Sequence, residues 1–234
     1  MLPSARKNAD NKWLNWIAIA VLVSSAVSGT PQQAAASSLR KYKPPSRGDT
    51  QRTEGSGSRG CDKNPVFLNL LIPSDHVALT VSSHPSFFWY VSDVTSPLRF
   101  TVVEQGVAHT LIDKRFTAEK PGIVLMQLPT NVPGLDVGKE YRWTVSIVCN
   151  PLRPSENLYA IGRISRVPVN PELDRELALT NSNDEKATVY AESGIWYDAL
   201  NASYKNASTT YFISLLEQVG ITKVTQQIRH LTQK

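Results

Sequence analysis

The chain has 234 residues, 41% of them hydrophobic and 19% charged, which is ordinary globular composition with room for one large or two small domains. Its formal charge of +5 is unevenly spread: residues 1–60 hold nine Lys or Arg against three Asp or Glu, and residues 61–234 hold sixteen against seventeen. Phosphate binding needs Lys and Arg grouped on a folded surface, so a near-neutral body argues against a nucleic-acid partner.

The first element is a leader. Arg6, Lys7 and Lys12 precede the apolar run Trp16–Val23, which fades through Ser24, Ser25, Ala26 and Val27 into Gly29, the layout of a secretory signal. The run is too short to span a bilayer, which takes about 20 residues, so no stable transmembrane anchor is expected. Small residues allow cleavage after Gly29 or after Ala36, and Ala34-Ala35-Ala36 is the better A-x-A form. Residues 1–36 therefore read as signal peptide and the rest as exported, periplasmic or extracellular. Only Cys61 and Cys149 occur, and in an oxidising compartment an even pair reads as one disulfide. Residues 37–60 are rich in Ser, Arg, Lys, Gly and Pro and read as a disordered basic linker. Within it Gly55-Ser-Gly57-Ser-Arg-Gly60 matches a dinucleotide fingerprint by letter alone, since no strand precedes it and no helix follows.

From 61 to 168 short β-branched and aromatic runs recur at about ten-residue intervals. They are Val66–Ile72, Val77–Val81, Phe87–Val91, Leu98–Val103, His109–Phe116, Ile123–Leu128, Tyr141–Cys149 and Leu158–Val167. This spacing predicts an immunoglobulin- or fibronectin-like antiparallel β-sandwich. Tyr141, Trp143, Val145, Ile147 and Cys149 alternate with mostly polar neighbours, so Cys149 belongs with the core face. Upstream, Leu135-Asp-Val-Gly138-Lys-Glu-Tyr141 resembles the tyrosine corner of fibronectin modules.

Beyond 168 the period becomes helical, and 169–234 reads as a small helical region packing on the sandwich. Asn170-Pro171-Glu172 is a helix start. Apolar residues then recur at helical spacing through Ala187–Tyr204, again at Phe212, Leu215, Leu216 and Val219 before Gly220, and more weakly at Ile221, Val224, Ile228 and Leu231. The overall class is mainly β with α. Asn201-Ala-Ser203 and Asn206-Ala-Ser208 match the N-glycosylation acceptor pattern.

Several stretches, read together, resemble one family. They are Gly57-Ser-Arg59-Gly60-Cys61, His84-Pro85-Ser-Phe87-Phe88-Trp89-Tyr90-Val91, Gly122-Ile123-Val124, Tyr141-Arg-Trp143 with Ser146-Ile-Val-Cys149, and Tyr190-Ala-Glu192-Ser-Gly194-Ile-Trp196-Tyr197-Asp198-Ala199-Leu200. Their order over roughly Gly57 to Leu231 resembles the cyanobacterial domain-of-unknown-function 928 family. The resemblance implies an extracytoplasmic cyanobacterial protein and supplies no activity. Asn201–Thr210, rich in Asn, Ser and Thr, departs from it where a longer helix is expected.

Chemistry-bearing patterns are sparse. His76, His84, His109 and His230 are scattered, with no H-E-x-x-H, C-x-x-C, G-x-S-x-G or P-loop spacing, so no catalytic, cofactor-binding or metal residues are assigned. The expected interaction surface comprises Glu192, Trp196, Tyr197 and Asp198, together with Phe88 and Tyr90. Glu192 and Asp198 are six apart and fall on different faces of a continuous helix, which separates them as an acid–base pair. In the run Phe87-Phe88-Trp89-Tyr90 one face is core, and the other is either covered by the C-terminal helices or a binding surface. The functional expectation is a non-enzymatic interaction or structural module of the cell envelope, with an envelope protein or glycan as partner. The alternative is an envelope hydrolase whose site is assembled from distant positions.

Overall fold

The computed structural model describes residues 41–45, 50–55, 66–205 and 209–232. The leader, Cys61 and Asn206 of the second glycosylation pattern lie outside them. The fold is mixed α/β, with two sheets and five helices among the described residues.

Eight strands follow in order: β1 (Leu68–Leu70), β2 (Ala78–Thr80), β3 (Ser86–Val91), β4 (Leu98–Glu104), β5 (Thr110–Phe116), β6 (Gly122–Gln127), β7 (Glu140–Ile147) and β8 (Leu158–Arg166). Each falls within or beside one of the eight apolar runs. They form a three-stranded sheet, β1-β3-β6, and a five-stranded sheet, β2-β8-β7-β4-β5. Between the sheets lie Phe87 and Trp89 from one side and Phe100 and Trp143 from the other, with ring centroids 5.0–6.5 Å apart. All four side chains are fully buried. Gly162 lies in the same layer because a side chain there would meet Ile72 and the Trp143 indole at 2.5–2.9 Å.

One pairing departs from the antiparallel expectation: β2 runs parallel to β8, with Ala78 opposite Ile164 and Thr80 opposite Arg166. The chain leaves β1 in the smaller sheet, turns at Pro73–Asp75 and enters β2 at the edge of the larger one, so no hairpin imposes an antiparallel direction. The corner before β7 forms as expected. The Tyr141 hydroxyl accepts a hydrogen bond from the Asp136 amide at 3.0 Å, and Gly138 takes φ 79°, a conformation that glycine adopts without steric cost.

The linker expectation needs correction, because parts of it are docked. Leu70 donates to the Thr53 carbonyl, Gly55 to Leu68, and Ile161 to Arg52, so residues 51–55 run between β1 of one sheet and β8 of the other. Tyr42, 8% exposed, joins the core. Composition alone could not reveal this, because the contacts are one buried aromatic ring and backbone hydrogen bonds to β1 and to the part of β8 that β2 leaves unpaired.

The helices are α1 (Pro171–Ala178), α2 (Asn183–Glu192), α3 (Trp196–Lys205), α4 (Thr209–Gln218) and α5 (Thr222–Thr232). Asn170 caps α1 by accepting from the Leu173 amide, and Ser182 caps α2 by accepting from Glu185. The helical stretch expected through Ala187–Tyr204 is broken. Gly194 sits at φ 75° and the Ile195 amide reaches back to the Tyr190 carbonyl, a glycine-terminated C-cap. No helix among the described residues is long and apolar enough to cross a membrane.

Candidate functional site

Of the six residues expected to form a surface, all but Glu192 are drawn into the interior between helices and sheets. Phe88, Tyr90, Trp196 and Tyr197 are each 4% exposed or less. This corrects their placement: the second face of β3 is covered. Phe88 packs edge-on to Tyr204 and against Phe212, while Tyr90 lies against Phe67. The apolar area of these rings is large, and Tyr204 of α3 and Phe212 of α4 cover the Phe88 ring.

The polar atoms of the seam are engaged in holding it together. Trp196 donates its indole N–H to the Leu71 carbonyl at 3.0 Å. The Trp143 indole donates to the Tyr197 hydroxyl at 2.8 Å, and that hydroxyl donates onward to the Arg163 carbonyl at 3.2 Å. Asp198 accepts from the Thr80 hydroxyl at 2.7 Å and the Val81 amide at 3.1 Å, tying α3 to the end of β2. Burial pushes the Asp198 carboxyl above its ordinary value, and these hydrogen bonds pull the other way. Glu192 remains half-buried at the end of α2, beside a polar recess with Lys43, Glu172 and Glu176. The chain break at Gly194 places Glu192 and Asp198 on separate helices, so their relation is not that of one continuous helix.

A hydrogen-bonded row that sequence reading missed lies at the same end of the molecule. Asp75 Oδ1 is 2.7 Å from His76 Nδ1, and His76 Nε2 is 2.7 Å from the Tyr42 hydroxyl. Burial raises the Tyr42 phenol further above its usual range, which disfavours phenolate, and its ring is stacked on His76 and edge-on to Trp196. The row fastens the docked segment to the body. Among the described residues, no three His, Cys, Asp or Glu side chains are grouped to hold a metal ion.

The opposite side of the molecule is built differently. The principal helix contacts are to β2 and β3, and the outer face of the five-stranded sheet carries alternating polar residues. Register arranges these residues in rows across the strands. Arg115, Arg99, Ser146 and Tyr159 form one; Asp113, Thr101, Thr144 and Ile161 the next; Val103, Arg142 and Arg163 a third. Arg99 makes a double contact with Asp113 at 2.6 and 2.8 Å, which holds the Asp113 carboxyl below its ordinary value. Arg163 meets Glu140 at 3.2 Å. At the third row the turn after β4, with Gly106 at φ 82°, encloses an open groove of about 470 Å³ against Arg142 and Arg163. The alternation of polar residues along β7 was legible, but their assembly into rows with β4 and β8 depends on pairing.

The fold and these surfaces define a class: a two-sheet α/β domain, sealed by helices on one side and polar on the other. A family model described as Domain of Unknown Function (DUF928) matches residues 54–228. The chain belongs to that family. No curated protein matches it.

Proposed function

We propose that this chain is an exported, periplasmic or extracellular protein acting as a non-enzymatic interaction or structural module of the cell envelope. The observation that carries the reading is the contrast between its two sides. Aromatics and acids that sequence patterning offers as a surface are used internally, while the outer face of β4, β7 and β8 presents Arg, Thr and Ser side chains to solvent. Such a face offers hydrogen bonds and charge to a partner without a reacting constellation.

Three further features belong to the same proposal. The leader pattern Arg6–Gly29 supports export, followed by cleavage at Ala36 or Gly29. A Cys61–Cys149 bridge would anchor the start of the domain beside the end of β7, where Cys149 packs partly buried against the core. The fibronectin-like identity of the two sheets is supported by the Tyr141–Asp136 corner. A cyanobacterial source follows from the sequence resemblance alone.

The second reading, an envelope hydrolase with a non-local site, has one arrangement in its favour, the Asp75–His76–Tyr42 row. The buried phenol and its raised pKa count against a nucleophile there.

Two measurements test the proposal. Mass spectrometry of the protein recovered from its producing cells is expected to find a mature chain beginning at Ser37 or Thr30, and a start at Met1 overturns export with cleavage. Purified protein is expected to co-sediment with washed cell envelopes, equally for wild type and His76→Gln. Absence of co-sedimentation, or hydrolysis of envelope material that His76→Gln abolishes, overturns the module reading.

A further inference from the structure

We propose that the outer face of the five-stranded sheet docks an extended anionic polysaccharide, whose carboxylate or sulfate groups are held by arginines at its two ends. The inference rests on the interaction-module reading and names the partner of that face.

The charge pattern is the starting point. Arg142 and Arg163 are directly opposite on β7 and β8, and Arg99 and Arg115 are directly opposite on β4 and β5. Like charges facing each other across strands destabilise a sheet, so each pair needs an anion. The protein supplies one for each: Asp113 for Arg99 and Glu140 for Arg163. Arg115 and Arg142, both exposed, make no ion pair among the described residues. Glu104, at the rim of the groove beside Arg142, is engaged by Lys139 at 2.9 Å. The face therefore keeps at each end one guanidinium outside an ion pair: Arg142 at the groove, and Arg115 near the charge of Asp113, which Arg99 already holds.

Geometry turns these charges into a track. Residues 142 and 146 of β7 mark the two basic rows and are separated by about 13 Å of strand rise. Between them lies the row containing Thr101 and Thr144, whose half-exposed hydroxyls donate and accept hydrogen bonds. At one end Arg52 stacks on the Tyr159 ring, 5.2 Å from its centroid, and donates to the hydroxyl at 3.0 Å, adding a flat aromatic platform. At the other end the groove beside Gly106 gives the Arg142 fork a recess in which a planar acid group can be held by two N–H donors. Spaced acids joined by a hydroxyl-rich backbone match this sequence of features. A nucleic acid would call for stacking platforms repeated along the track, whereas Tyr159 stands at one end of it.

The test uses the full chain with three soluble polymers, alginate, dextran sulfate and neutral dextran, followed by affinity electrophoresis at increasing salt. Alginate and dextran sulfate are expected to retard the protein with an effect that weakens as salt rises, and neutral dextran to leave it unchanged. The double variant Arg115→Gln/Arg142→Gln is expected to bind about tenfold more weakly at unchanged melting temperature, while Arg175→Gln/Lys186→Gln on the helices binds as wild type. Unweakened binding by the sheet-face variant assigns the attraction to the basic segment before Cys61 and overturns the proposal, as does equal weakening by both variants. Tighter binding of single-stranded DNA of matched charge overturns it in favour of a nucleic-acid partner. Loss of all polymer binding with envelope co-sedimentation retained removes the polysaccharide and leaves the module reading standing.

Discussion

Asp198 shows how one side chain couples position to pH. It enters the seam at the first turn of α3 and receives two hydrogen bonds from the end of β2, yet its carboxyl titrates above the ordinary value because burial outweighs them. With the folded pKa raised above the unfolded one, the folded state holds its proton more tightly. Its contribution is therefore most favourable below the ordinary carboxylate range and is lost as pH rises through the raised value. Asp198→Asn removes that titration and keeps an oxygen to accept from Thr80. Urea denaturation at a series of pH values is expected to show the variant gaining on wild type as pH increases from the ordinary carboxylate range. A constant difference between them would show that Asp198 does not titrate differently on folding. At this scale the sequence was partly legible. It marked Trp196, Tyr197 and Asp198 as unusual, but their partners Leu71, Trp143 and Thr80 lie more than fifty residues away in the chain.

Among elements, the joint between α2 and α3 does most to place those residues. A continuous helix from Ala187 to Tyr204 would carry Trp196 and Tyr197 past the sheet along one axis. The stop at Gly194 frees α3 to start again with Trp196 against Leu71 and Tyr197 against Trp143. A Cβ at this glycine would come within 2.8 Å of the Lys43 carbonyl, and φ 75° is unfavourable for any L side chain. Gly194→Ala is expected to destabilise the protein by about 2 kcal/mol from the left-handed backbone alone. The same substitution should speed trypsin cleavage after Lys41, because the clash pushes at the docked segment. Chemical denaturation and timed proteolysis check both, and an unchanged cleavage rate would mean that Lys43 accommodates the methyl group freely. The stop signal was present as Ser193-Gly194, but the aromatic periodicity running across it read as one helix. The cap of α1 was easier, since Asn170 acts on an amide three residues ahead, whereas the Ser182 cap of α2 went unread.

For the whole molecule, segments far apart in sequence close the structure. Residues 51–55 bridge β1 and the part of β8 that β2 leaves uncovered, and Tyr42 reaches His76, Trp196 and, through its amide, the Gln218 side chain. A Cys61–Cys149 bridge would lock the chain immediately after this segment. In the chain-entropy treatment a loop of that length is worth about 4 to 5 kcal/mol. Non-reducing intact mass is expected to fall short of the sum of the residues by two hydrogens, and Cys149→Ser to lower the urea midpoint as much as reductant does. Two titratable thiols in the untreated protein would show the cysteines unbridged. Local pattern alone specified eight strand positions, the Tyr141 corner, the Asn170 cap and the alternation of polar residues along β7. Each follows from side-chain period or from turn chemistry within a few residues. The parallel run of β2 beside β8, the burial of Phe88 by helices and the opposed pairs of arginines arise from chain pairing alone. These depend on which distant segments meet and in what register, and a chain's local pattern carries no record of its partner.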